Sequence, residues 1–117
     1  MNIFQTYYDA INLCGRRWTL EIMTALQQQQ PMRFTDLLRA IQPTPSSKSL
    51  VEALRRLHDQ GLICRPGGPD GALYQLTPAG MHLLPLLMAF LADLQRWSES
   101  YRTDQKPATS SNGSRSQ

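Results

Sequence analysis

Cysteine is scarce in this sequence and scattered where it occurs. Cys14 and Cys64 stand far apart, and neither belongs to a CxxC pair or a Cys/His cluster, so neither a disulfide framework nor a zinc site has a basis. A reducing cytoplasm is the expected compartment. Long apolar runs are missing too. The most apolar stretch, Leu83 to Leu94, is broken by Pro85 and falls well short of the ~20 residues that a membrane-spanning helix needs. The first twenty residues lack the charged, apolar and small-residue order of a cleavable signal. Neither membrane insertion nor secretion is expected. Catalytic signatures are also absent: no serine sits in a nucleophile elbow, and the glycines of Gly67-Gly68-Pro69-Asp70-Gly71 are those of a turn rather than a phosphate loop. His58 and His82 are isolated. No enzyme, cofactor or metal site is expected.

What is present is an ordinary globular balance, 41% hydrophobic and 18% charged over 117 residues, enough for one domain. The formal charge is +3, and arginine supplies ten of the twelve cations. That charge is concentrated between Pro31 and Pro66, where Arg33, Arg39, Lys48, Arg55, Arg56 and Arg65 face only Asp36, Glu52 and Asp59. The remaining charges cancel, so this third of the chain is where an anionic partner would be met. After Tyr101 no large apolar residue follows, and nothing there can offset the entropy of ordering. Residues 1–102 are read as one folded domain and 103–117 as a disordered tail.

Periodicity predicts five helical segments and a hairpin, a mainly α chain with a small β-hairpin. A helix from Ile3 to Leu13 repeats Ile3, Tyr7 and Ile11 on one side. A second, Trp18 to Gln29, is stopped by Pro31. Met32-Arg33-Phe34 is short and extended, and Thr35 is the expected N-cap of a third helix carrying Leu37, Leu38 and Ile41. Pro43-Thr44-Pro45 turns the chain. Ser46 or Ser47 then caps a helix with Leu50, Leu54 and Leu57 inward, closed by Gly61. Strands are expected at 62–65 and 72–76, followed by a Thr77-Pro78 start and a segment to about Tyr101 that Pro85 should kink or split.

Helix, short strand, helix, turn, helix and hairpin in that order make a winged helix-turn-helix, which offers one helix to the DNA major groove and the hairpin to the neighbouring backbone. On a helical wheel, Lys48, Glu52, Arg55, Arg56 and Asp59 project opposite the leucines. Ser46, Ser47 and Ser49 crowd the N-terminal turn, where hydroxyls and free N–H groups suit phosphates and base edges. A solvated face of mixed charge is the plainer alternative, and the hairpin that follows tilts the reading toward DNA.

The pieces Arg17-Trp18-Thr19-Leu20-Glu21-Ile22, Met32-Arg33-Phe34-Thr35-Asp36-Leu37, Ser46-Ser47-Lys48-Ser49-Leu50, Gly61-Leu62-Ile63 and Tyr74-Gln75-Leu76-Thr77-Pro78-Ala79-Gly80 resemble the HxlR-type branch of MarR-like winged-helix regulators. The resemblance runs from about Cys14 to Trp97. It implies a homodimeric regulator that binds double-stranded DNA at an inverted repeat, with 46–60 as recognition helix and 65–73 as wing. By position, Ser46, Ser47, Lys48 and Arg55 fall on the family's recognition-helix pattern and Arg33 on its strand before the second helix; with Thr35, Ser49, Glu52, Arg56 and Arg65, taken from the reading of the residues themselves, they make up the expected DNA-binding set. A winged helix used for protein contact without DNA is the alternative. The apolar residues Phe4, Tyr7, Tyr8 and Ile11, with Leu83, Leu87, Phe90, Leu91, Leu94 and Trp97, are too many for one small core and are assigned to dimerisation by the terminal helices.

Two departures from the family stand out. Cys14 lies four residues before Trp18, closer than the family's cysteine, and the wing carries glycines and Asp70 with Arg65 as its one cation. A redox role for Cys14 would use Arg16 and Arg17 to lower its pKa, while its position beyond Ile11 points to a structural thiol. A small-molecule effector site lined by Trp18, Phe34, Phe90 and Trp97 is weighed against these aromatics filling the core, which is the favoured reading.

Overall fold

The computed structural model describes residues 2–68 and 71–102; the expected tail at 103–117 and the hairpin tip at 69–70 lie outside them. The chain divides into two compact units, Met1–Pro85 and Leu86–Gln117.

In the first unit the helices are α1 (Ile3–Cys14), α2 (Thr19–Gln28), α3 (Phe34–Ala40) and α4 (Ser47–Asp59). The strands are β1 (Met32–Arg33), β2 (Ile63–Cys64) and β3 (Leu73–Leu76), and α5 (Pro78–Tyr101) begins here. The sheet has three strands in the order β1-β3-β2, all antiparallel, with Met32 opposite Tyr74 and Ile63 opposite Leu76. The expected hairpin is therefore present with shorter strands, and a third strand joins it. The core is aliphatic: Ile22, Met23 and Leu26 of α2, Leu37 of α3, Leu50, Leu54 and Leu57 of α4, Ile63, Leu76 and Leu84 are all buried. Alternating strands and the 3.6-residue repeat of α4 bring these side chains to one interior.

Several boundaries are held by identifiable bonds. The Ser46 hydroxyl accepts from the Ser49 N–H at 3.0 Å and caps α4. At the other end Gly61, at φ +76°, lets its own N–H reach the His58 carbonyl and the Leu62 N–H reach the Leu57 carbonyl, the paired bonds of a Schellman closure. The Thr77 hydroxyl accepts from the Gly80 N–H at 3.2 Å and donates to the Gly61 carbonyl at 2.6 Å. The start of α5 is thus tied to the end of α4. A Cβ on Gly80 would lie 2.3 Å from the Leu62 carbonyl oxygen, which is why only glycine fits there.

Three local expectations are corrected. The cap of α3 is Arg33, not Thr35: the Asp36 carboxylate reaches back to accept from the Arg33 N–H at 3.2 Å, so the helix starts at Phe34 and Thr35 lies inside its first turn. Trp18 does not begin α2 as a helical residue but precedes it at φ +77°, with the Arg17 guanidinium over its ring at 4.3 Å. Pro85 does not split the last helix, since α5 continues through it to Tyr101.

In the second unit the described part of α5 is apolar and open: Leu86, Phe90, Leu91, Leu94, Trp97 and Tyr101 are all exposed. Phe90 and Trp97 therefore fill no core within this chain, contrary to the reading that the aromatics are core residues. Trp18 and Phe34 are half-buried.

Candidate nucleic-acid interface

The burial of Leu50, Ala53, Leu54 and Leu57 fixes the rotation of α4, and everything else about its surface follows from that rotation. Lys48, Val51, Glu52, Arg55 and Asp59 are exposed and share one face by their three- and four-residue spacings. No hydrogen bond or ion pair within the described residues engages Lys48 or Arg55, so both cations are available to a partner. At the N-terminus Ser47 is exposed, while the Ser46 hydroxyl, besides capping, donates to the Ser49 hydroxyl at 2.9 Å. Two of the three serines are therefore engaged with each other.

Arg56 departs from the predicted set. It is half-buried and its Nη2 donates to the Arg17 carbonyl at 2.9 Å, so its guanidinium braces the turn between α1 and α2. Burial lowers its pKa, Arg16 nearby lowers it further, and Glu52 opposes the shift. A helical residue is rotated by about 100° from its neighbour, and that one step separates an outward Arg55 from an inward-leaning Arg56.

The wing stands against the other flank of α4. Between them runs a groove of about 460 Å³ walled by Val51, Leu54, Arg55 and His58 from the helix and by Arg65, Gly68 and Tyr74 from the hairpin. Arg65 is half-buried; its Nη2 donates to the Gly71 carbonyl and its guanidinium lies 5.2 Å from the Tyr74 ring centre. The one cation of the wing is thus spent on holding the wing together. Arg33, exposed on β1 beside β3, and Thr35, exposed in α3, complete the predicted set on neighbouring elements. Arg39 of α3 pairs with Asp36 at 3.0 Å.

The model of the HxlR-like helix-turn-helix family matches residues 13–106. The chain belongs to that family. An uncharacterised HTH-type transcriptional regulator of Halalkalibacterium halodurans is 36% identical over 80 residues, covering 66% of this chain and 70% of the relative. The reduced form of the transcriptional regulator YodB of Bacillus subtilis superposes with a TM-score of 0.62 at 29% identity, over 82% of this chain and 91% of YodB. A protein of Thermoplasma volcanium described as a possible HxlR family transcriptional factor gives 0.64 at 27% identity, over 77% and 82%.

As an HxlR-like protein this chain is a transcriptional regulator of the HxlR/MarR type, a class that binds DNA, and the family is not one of enzymes. The winged-helix architecture read from the sequence is the one the HxlR-like chain has. Among the described residues there is no group of three metal-type ligands and no helix long and apolar enough to cross a membrane. Cys14 is half-buried at the end of α1, and desolvation raises its pKa; Arg16 and Arg17 do not bring it down. The leucine pattern of α4 identified its buried side, but gave no reason to single out Val51, an apolar side chain 44% exposed among the charges.

Proposed function

We propose that this HxlR-like regulator acts in the cytoplasm as a homodimer that binds an inverted repeat in double-stranded DNA, each copy laying α4 in a major groove with residues 65–73 beside it. The observation that carries the proposal is the outward face of α4, where Lys48 and Arg55 are free of internal partners. Lys48 and Arg55 are suited to guanine edges or phosphates, and Glu52 to the exocyclic amine of cytosine. Ser47 in the first turn of α4, Thr35 in α3 and Arg33 on β1 are exposed and fit phosphate contacts, which position the protein without reading sequence. Arg65 contributes through the wing it braces, so its loss should weaken binding to all sequences alike.

The dimer is supported by apolar surface left open at both ends of the chain. In α1 no residue is buried, and Ile3, Phe4, Tyr7, Tyr8 and Ile11 are exposed at spacings that form one stripe. In α5 Phe90, Leu91, Leu94 and Trp97 are exposed, while Leu83 and Leu87 are half-buried. Such surface is excessive for a small monomer, and a second copy with the same stripes would cover it.

A titration of the protein against the DNA upstream of its own gene, with scrambled duplex as competitor, tests the proposal. Retention of the specific complex under competition, at half-sites about one helical turn apart, is the expected result. Equal displacement by both duplexes would contradict sequence-specific binding, and absence of a complex with either would leave a winged helix that meets other proteins instead.

A further inference from the structure

The outward face of α4 holds one side chain that charge does not explain. Val51 is 44% exposed, three residues after Lys48 and four before Arg55, and therefore in line with both along the helix. It stands on the flank that faces the wing, where it forms part of the wall of the α4–hairpin groove with Arg55 and Tyr74. A β-branched residue is stiff at χ1, so its two methyl groups are held in place on the helix surface. The other exposed large apolar residues of the helical chain lie mainly on α1 and α5, where a second copy accounts for them; Val51 lies on neither.

We infer that Val51 reads the C5 methyl group of a thymine in the major groove. The inference rests on the DNA-binding proposal and adds to it the identity of one base. A major groove offers a single apolar feature, the thymine methyl, and small aliphatic side chains recognise it by contact. The flanking side chains set the register: with Lys48 and Arg55 on a guanine or phosphate a helical turn to either side, Val51 lies between them at the edge of the α4–hairpin groove, where its exposed methyl groups meet a base edge. Loss of the contact removes the burial of about one methyl group, which corresponds to an affinity loss of about fourfold per half-site.

The test begins with duplexes enriched from a random pool by the full-length wild-type protein. Each thymine of the enriched site is then replaced singly by deoxyuridine, which removes only the methyl, and affinity is measured for the wild type and for Val51→Ala and Val51→Thr. For the wild type, replacement at one thymine per half-site should weaken binding about fourfold. Val51→Ala should bind the thymine and uracil duplexes equally, with Val51→Thr, which keeps one methyl, in between. The wild-type scan needs no variant to fold, and matching circular dichroism spectra establish the fold of the two variants. Insensitivity of the wild type to every replacement, or an undiminished thymine preference in Val51→Ala, would overturn the assignment while leaving DNA binding intact. Failure to enrich any duplex would overturn the DNA-binding proposal and this inference together.

Discussion

The guanidinium of Arg56 donates to the backbone carbonyl of Arg17 at 2.9 Å, joining α4 to the turn that precedes α2 across 39 positions of sequence. Its neighbour Arg55 points outward with no partner among the described residues. Two adjacent arginines on one helix therefore have different work, and a substitution at each should separate them. Arg56→Ala loses a hydrogen bond that solvent partly screens, worth about 0.5–1.5 kcal/mol. Thermal unfolding should show a lower melting temperature, by several degrees for a domain of this size.

Gly80→Ala should be more damaging than a surface alanine has any right to be. The added Cβ meets the Leu62 carbonyl oxygen at 2.3 Å and a Leu76 methyl at 3.1 Å. The backbone oxygen cannot yield without breaking the Thr77 N–H bond to Leu62, so overpacking of about 1–3 kcal/mol is expected. Urea denaturation should give a lower midpoint with an unchanged slope.

How far the sequence announced these features depends on the range of the bonds involved. Ser46, Gly61 and Thr77-Pro78 mark their helix ends because caps are local, satisfied within four residues of themselves. The pairing of β1 with β3 left no such mark: two residues carry no alternation, and their partners Leu73 and Tyr74 lie some forty positions on. Thr35 looked like a cap by residue type, yet Asp36 captures the Arg33 N–H and starts the helix earlier. Trp18 at φ +77° was unreadable because bulky residues rarely adopt that conformation. The charged face of α4 was visible from its leucine spacing. Which of its arginines turns inward was not, since that depends on the Arg17 carbonyl, a partner supplied by tertiary structure.

Dimerisation predicts a mass in solution of twice the 13.3 kDa chain. Light scattering at micromolar concentration should report it for the wild type. Phe90→Asp and Trp97→Asp, at side chains 53% and 48% exposed, should shift the mass toward the monomer while leaving helical content unchanged. A monomeric wild type at that concentration would contradict the role given to α1 and α5.

Desolvation raises the pKa of Cys14, so the neutral thiol is the favoured form in the fold. The sign of the linkage follows: the preference is fully present below the unfolded thiol's pKa and is lost as pH rises through the higher folded value. At neutral pH Cys14 should react with iodoacetamide more slowly than the same thiol in urea-unfolded protein. Peroxide should leave DNA binding unchanged, and Cys14→Ser should bind as the wild type does.

The reading face of α4 is tested most directly by salt-dependent DNA titration of three single alanine variants, Lys48→Ala, Arg55→Ala and Arg96→Ala. Arg96 is an exposed cation of α5 paired with Asp93 and lies outside the proposed face. Lys48→Ala and Arg55→Ala should each cost about 1–3 kcal/mol and relax preference at one position per half-site, with Arg96→Ala indistinguishable from wild type in affinity and salt slope. Wild-type binding by the first two variants together with a loss in Arg96→Ala would place the DNA elsewhere on the molecule and contradict the account.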